Sequence, residues 1–175
     1  MNAMHRCEAI GLLRKAGCQQ NVIEHCMAVS SLAVEIAQAC KRNGAKVDVQ
    51  LVEIGAILHD IGRSVTHGVE HGVVGARILQ HYGVPPEVRN IVERHVGAGL
   101  TEDDARELGL PSGDYVPKTL EEKIVAYSDK LIDGDRRVPL NETLGKYAIE
   151  LGRDHPSIGR LKALEAEIVS LTDIP

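Results

Sequence analysis

Imidazole and carboxylate side chains interrupt apolar stretches of the chain at six positions: His25, His59, Asp60, His71, His95 and Asp129. In a helix, residues three and four positions apart share a face. By that test five of the six share a face with aliphatic neighbours, as His25 does with Val22 and Val29. The face on which His59 lies is less clear-cut, because His59 is next to its partner Asp60. The pattern therefore predicts a set of inward-facing polar groups.

A single inward histidine is usually a hydrogen-bonded core residue, but six inward polar groups in one small chain need another explanation. An unpaired buried charge costs several kcal/mol or more, so such groups persist when they are paired or bind a cation. Neutral imidazole and ionised carboxylate are ligands that divalent metal ions take in proteins. The six residues are therefore candidate metal ligands.

Positioning these residues requires helices that end at the right places. Neighbours on a helix point about 100° apart, so His59 and Asp60 can reach one ion only at a helix end, which Gly62 supplies. Asp48 and Thr101 are candidate N-caps. The apolar pattern predicts helices over 5–16, 20–42, 48–60, 70–81, 86–96, 102–108, 119–132, 139–151 and 156–172.

Composition favours an all-α fold with an aliphatic core. The chain has 175 residues, 43% of them hydrophobic, with no Phe or Trp and 4 Tyr. Strand segments rich in aromatic residues and threonine are absent, which favours packed helices. The length suits one domain spanning residues 1–175, without a long linker.

Charge and cysteine usage limit the possible partners and location. The net charge of −5 excludes a general nucleic-acid surface. The four cysteines form no CxxC pair, which favours free, buried thiols in a reducing compartment. We see no signal peptide and no apolar run approaching the ~20 residues of a membrane span. The protein is expected to be cytoplasmic, with no membrane partner.

At His59-Asp60-Ile61-Gly62 the sequence resembles the HD superfamily of metal-dependent phosphohydrolases, specifically its HDIG-type members. The family order His, His-Asp, Asp is met by His25, the His59-Asp60 pair and Asp129. The segment IVAYSDKLIDGDR is similar to the family's final helix. The resemblance covers about residues 20–137 and implies an all-α HD-domain helical bundle, with 138–175 as C-terminal packing helices.

The resemblance also implies a set of metal ligands. His25, His59, Asp60 and Asp129 would hold a first ion, and family members with two ions add two histidines, here His71 and His95. Asp60 would then bridge the pair. Two divalent ions per chain are expected, with Fe, Mn or another transition metal favoured and Mg compatible.

The substrate implied by the resemblance is a small phosphorylated molecule of the nucleotide class. The single histidine at His95-Val96 is similar to bacterial HD enzymes that split diadenosine tetraphosphate. It differs from the HD-GYP type, which has a His-His pair there. The stretch after His95 is closer to small unassigned archaeal HD proteins, and relatives that occur beside tRNA-modifying domains point weakly to an RNA-linked substrate.

The expected chemistry is attack on phosphorus by metal-activated water. Asp60, Arg63 and His67 are the candidate catalytic residues, with Arg63 clamping phosphate and His67 donating a proton to the leaving oxygen. Candidate substrate-binding residues are basic: Arg63, Lys130, Arg136 and Arg137. The alternative for Arg63 and His67 is an ordinary surface role. Residues 97–118 are either a specificity lid or a simple connector.

Two alternative functions fit the same residues. In a one-metal enzyme resembling 5′-nucleotidases or dNTPases, His71 and His95 would bind substrate instead of a second ion. In a non-catalytic module the fold would sense a nucleotide without hydrolysing it. The complete ligand set argues against the second alternative, and a count of metal ions per chain separates the first from a two-metal enzyme.

Overall fold

A computed structural model describes residues 4–172, and this part of the chain is an all-α fold with one small β-hairpin. A single 3-10 turn, Ile61–Ser64, follows the third helix. The hairpin pairs two short antiparallel strands, β1 (Ile132–Asp133) and β2 (Arg136–Arg137). Residues 4–172 contain nine helices: α1 (Arg6–Ala16), α2 (Gln20–Arg42), α3 (Val49–Leu58), α4 (His71–His81), α5 (Pro86–Arg94), α6 (Glu102–Glu107), α7 (Leu120–Lys130), α8 (Leu140–Glu150) and α9 (Pro156–Thr172).

The helix boundaries follow the capping residues read from the sequence. Asp48 accepts a hydrogen bond from the Leu51 amide at 3.0 Å and begins α3. Thr101 begins α6 with a reciprocal capping box to Asp104. The prediction that the third helix runs to residue 60 is wrong by two residues: α3 ends at Leu58, and the 3-10 turn takes over after Asp60.

The core is aliphatic and α2 runs through it. One cluster of buried side chains joins α2 to α3, α7 and α9 around Val29, Ile36 and Leu161. A second cluster joins α1, α2, α3, α4 and α5 around Leu13, Ile57 and Leu79. The chain has no Phe or Trp, so branched aliphatic side chains and alanines fill most of both clusters, and Cys18, Cys26, Cys40 and Tyr127 fill the rest. This packing fixes the ends of α3, α5 and α7 close to the middle of the bundle.

Helix α2 also meets a membrane-span criterion by length and composition. It has 23 residues and a mean hydropathy of 1.2 in its most apolar window, so the expectation of no such stretch is wrong on this criterion. However, 56% of that window is buried inside the protein, against the helices named above. The helix therefore lies in the core of the bundle. The cysteines are free, and all but Cys7 are buried.

The segment between α5 and α7 packs on the outside of the bundle. Ala105 and Tyr115 are buried against Val73 of α4. Asp104 of α6 accepts a hydrogen bond from Arg160 of α9 at 2.6 Å. These contacts attach the segment to α4 and α9, and its role as a specificity lid or a simple connector stays a prediction.

Candidate metal centre

The fold brings all six polar residues singled out from the sequence to one place. His25 comes from the first half of α2, His71 begins α4, and Asp129 lies in the last turn of α7. His59 is the C-cap of α3 and His95 the C-cap of α5. The last of the six, Asp60, directly follows His59, so the pair lies at a helix end. This placement lets the two adjacent side chains face one centre.

Asp60 is the common neighbour of the four imidazoles. Its Oδ1 lies 3.1 Å from His71 Nε2 and 3.4 Å from His95 Nε2. Its Oδ2 lies 3.7 Å from His59 Nε2 and 3.9 Å from His25 Nε2. Each carboxylate oxygen therefore faces a different pair of histidines.

Asp129 completes the side of the site that contains His25 and His59. Its Oδ1 lies 3.0 Å from His25 Nε2 and 3.4 Å from His59 Nε2. Among the described residues, His25, His59 and Asp129 form one group with metal-ligand spacing, and His59, Asp60 and His95 form a second. The two groups share His59, so the site is continuous.

Backbone carbonyls orient every imidazole in the site. The Nδ1 atom of each ring lies 2.6–2.7 Å from a carbonyl oxygen, so Nδ1 carries the proton and donates it. The Nε2 lone pair of a neutral ring then points to the centre. The pairs are His25 with Gly134, His59 with Ala56, His71 with Gly68 and His95 with Val92.

Several of these inward atoms could bind a cation. His71 Nε2 and His95 Nε2 lie 3.0 Å apart, and with both Nδ1 protons donated elsewhere the two lone pairs face each other. His59 Nε2 and Asp60 Oδ1 are buried and have no hydrogen-bond partner within residues 4–172. A buried polar atom without a partner costs about 1–3 kcal/mol. Imidazole nitrogens and carboxylate oxygens at this spacing fit a divalent ion.

The pKa values in the site follow from burial and from the close carboxylates. Burial lowers the pKa of His95 to about 4, so this ring is neutral at pH 7 and its Nε2 can bind a metal. Burial is the largest single influence and lowers the pKa of His59, but Asp60, Cys26 and Asp129 together outweigh it and raise this pKa well above its usual range. The site therefore attracts a positive charge, and a bound ion would displace the proton on His59.

Gly62 explains why a glycine follows the His-Asp pair. A Cβ atom at this position would lie 1.9 Å from the His71 carbonyl oxygen and 2.8 Å from the Gly75 amide nitrogen. Only a residue without a side chain allows the 3-10 turn to pack this closely on α4. Gly62 therefore sets the distance between Asp60 and His71.

Sequence analysis missed the β-hairpin, and with it the partner of His25. The Gly134 carbonyl accepts the His25 Nδ1 proton at 2.6 Å, and Gly134 has a φ of 63°, which favours glycine. The available signal was the Gly134-Asp135 dipeptide, because glycine at the first position of a two-residue loop is common in hairpin turns. The hairpin is attached to α8 by an ion pair of 3.0 Å between Asp133 and Lys146. The turn therefore supports the ligand set through its backbone.

Two of the basic residues predicted to bind substrate lie at the site. Arg63 Nε donates to Asp60 Oδ2 at 2.7 Å, and its side chain is 30% exposed. Lys130 pairs with Asp129. Burial lowers the pKa of Lys130, but Asp129, Tyr147 and Asp60 together raise it by more, so the ammonium stays charged.

The remaining candidates lie outside this cluster. Arg136 pairs with Glu142 at 3.2 Å, and Arg137 lies 3.5 Å from Glu35, all at exposed positions. His67 is exposed in the loop before α4, and its carbonyl accepts a hydrogen bond from Arg63 at 3.4 Å. Their predicted roles in substrate binding and proton transfer stay predictions.

The chain is similar to archaeal and bacterial proteins of several kinds. It is 52% identical to an uncharacterized protein of Methanocaldococcus jannaschii over 94% of this chain and 96% of that protein. It is 46% identical to a tRNA (cytidine(56)-2′-O)-methyltransferase of Thermoplasma volcanium over 79% of this chain, but spans only 39% of that protein. It is 30% identical to ribonuclease Y of Acidothermus cellulolyticus over 77% of this chain and 23% of that protein.

The fold has a solved counterpart and the sequence matches a family model. The HD domain of the Listeria monocytogenes phosphodiesterase PgpH, solved in complex with cyclic-di-AMP, superposes with a TM-score of 0.58. The two chains share 18% sequence identity, over 92% of this chain and 96% of that one. The HD domain model matches residues 22–133, which contain all six clustered residues. The chain therefore belongs to the HD domain family.

Proposed function

We propose that the protein is a metal-dependent phosphohydrolase that cleaves a phosphoester or phosphoanhydride bond of a nucleotide. The observation that carries this proposal is the convergence of four imidazole Nε2 atoms on Asp60, two of them 3.0 Å apart with lone pairs that face each other. A core network satisfied by hydrogen bonds would not leave His59 Nε2 and Asp60 Oδ1 without partners. Divalent ions satisfy all of these atoms together.

The distances favour two ions bridged by Asp60. Asp60 Oδ1 faces His71 and His95, while Oδ2 faces His25 and His59. His25, His59 and Asp129 would hold the first ion, and His71 and His95 the second. The first set is one of the two groups with metal-ligand spacing, and the other group, His59, Asp60 and His95, shares His59 with it. The facing Nε2 atoms of His71 and His95 favour a second ion over a one-metal site, in which these two residues would have to bind substrate.

The protein's own residues would position the substrate. Bound ions would supply an activated water and neutralise charge on the phosphoryl oxygens. Arg63 lies at the edge of the site, where its guanidinium can share its Asp60 contact with a phosphate oxygen. The buried, charged Lys130 would add positive charge beside Asp129. His67, exposed three residues beyond the 3-10 turn, would protonate the leaving oxygen.

A nucleotide substrate is supported by the kind of molecule that the structural neighbour binds, cyclic-di-AMP. A second candidate is a phosphodiester of RNA, because relatives are named ribonuclease Y and tRNA methyltransferase. The net charge of −5 favours the small substrate, since it provides no broad basic surface for a polynucleotide. A single domain over residues 1–175 and a cytoplasmic location complete the proposal.

Hydrolysis of a substrate panel after metal reconstitution tests the proposal. The protein would be stripped with chelator, reloaded separately with Mn²⁺, Fe²⁺, Co²⁺, Zn²⁺ or Mg²⁺, and given mononucleotides, dinucleoside polyphosphates, cyclic dinucleotides and short RNA. We expect metal-dependent release of a phosphate-containing product from at least one nucleotide, quantified by ion-exchange chromatography. Tight nucleotide binding without turnover under every metal would instead support the non-catalytic sensing module.

A further inference from the structure

A polar cleft separate from the metal centre lies between α4, α5 and the segment that contains Tyr115. It has a volume of about 380 Å³, and Val73, Ala76 and Tyr115 contribute to its apolar lining. None of the six clustered residues of the metal centre lines it. The polar lining consists of Arg77, Gln80, Arg89, Asn90, Glu93 and Ser112.

The cleft and the metal centre lie on different faces of the same two helices. Arg77 lies six positions after His71 on α4, and Arg89 lies six positions before His95 on α5. Six positions correspond to about 240° of rotation and ~9 Å of rise. A small nucleotide bound at the metal centre would therefore not occupy this cleft.

The two arginines have no acidic partner within residues 4–172. Neither Arg77 nor Arg89 forms an ion pair within 4.0 Å, whereas the nearby Arg94 pairs with Glu122 at 2.8 Å. The Nε atom of Arg89 is buried and has no hydrogen-bond acceptor in the same part of the chain. Arg77 is exposed and Arg89 is half-buried, so both guanidinium groups are available to an acceptor that comes from outside the chain.

We propose that this cleft is a second binding site that takes a phosphate group. Guanidinium groups bind two phosphate oxygens at once, and the neutral donors Gln80, Asn90 and Ser112 can complete the remaining hydrogen bonds. Glu93 is the one carboxylate in the lining, and it limits the affinity by repulsion. The phosphate belongs either to a free phosphorylated molecule or to a backbone phosphate of an RNA chain. The proposal is independent of the metal chemistry.

The test follows the Arg89 Nε–H resonance by NMR in the full protein with Mg²⁺ present. Inorganic phosphate and a short single-stranded oligouridylate are titrated separately. A saturable shift is expected, and Arg77→Gln should weaken the binding seen at Arg89 by about tenfold or more. Glu93→Gln should tighten it. Arg153→Gln removes an equal charge at an exposed position outside the cleft and should change nothing.

The two titrations also identify the source of the phosphate. If the oligouridylate binds more tightly and Arg77→Gln reduces its salt-dependence slope by ~0.7, the ligand is an RNA chain. If inorganic phosphate binds as tightly as the oligouridylate, the ligand is a free phosphorylated molecule. An Arg89 resonance that neither probe shifts at millimolar concentration, or equal affinities for Arg77→Gln and Arg153→Gln, would overturn the proposal. These readouts do not depend on hydrolytic activity, so they fail or succeed separately from the proposed function.

Discussion

Asp60→Asn is expected to lower kcat/KM for the best substrate of the panel by at least about 10³-fold, because metal catalysis contributes several kcal/mol and the amide cannot bridge two ions. The substitution keeps the size of the side chain but removes its charge and replaces one acceptor oxygen with a donor. One of the two pairs of histidines would then face an amide NH2 group in place of a carboxylate oxygen. We therefore also expect fewer bound metal ions per chain, measured by atomic emission after dialysis.

Asp135→Asn is the matched control for this change. Asp135 lies at an exposed position in the hairpin turn, in the same region of the molecule, and its replacement by Asn removes the same charge. It should keep both activity and metal content. Full activity of Asp60→Asn, or equal loss in both variants, would contradict the assignment of Asp60 as the bridging ligand.

Gly62→Ala is expected to destabilise the protein by at least about 3 kcal/mol, at or above the upper end of the usual cost of overpacking. The new methyl group would meet backbone atoms, the His71 carbonyl at 1.9 Å and the Gly75 amide at 2.8 Å, and backbone cannot move aside as a flexible side chain can. The thermal midpoint should fall by roughly 6–12 °C. Metal affinity should fall together with the thermal midpoint, because the displaced turn would move Asp60 away from His71.

Gly145→Ala provides the control for the loss of a glycine. Gly145 lies inside α8, and an added Cβ there would have no atom within 4 Å. Alanine should stabilise this helix by about 0.5–1 kcal/mol. Calorimetry of both variants separates a steric effect at Gly62 from a general effect of substitution. A Gly62→Ala protein as stable as wild type would show that the turn does not need its close contact with α4.

The helices and the six clustered residues could be predicted because their signals are local. An apolar face repeats every three to four residues, and a polar residue on that face is visible from its neighbours alone, as for His71 and His95. The His59-Asp60 pair added a geometric requirement, a helix end, which the structure meets two residues earlier than expected. The capping residues Asp48 and Thr101 depend only on the next three positions.

The features that could not be predicted depend on contacts between distant parts of the chain. The partner of His25 is the Gly134 carbonyl, 109 residues away, and no periodicity connects them. The packing of Tyr115 on α4 lies in an irregular segment, which has no repeat to reveal its buried face. Arg63 was expected at the site, but its contact with Asp60 itself was not anticipated.

Anomalous diffraction from crystals of the Mn²⁺-loaded protein is the most direct test of the central claim, that these side chains hold divalent ions. We predict two manganese peaks, each about 2.0–2.2 Å from its ligand atoms, on the two sides of Asp60. One should lie among His25, His59 and Asp129, and the other between His71 and His95. Manganese peaks only elsewhere in the molecule would contradict the metal centre, and a single peak here would contradict its two-ion form.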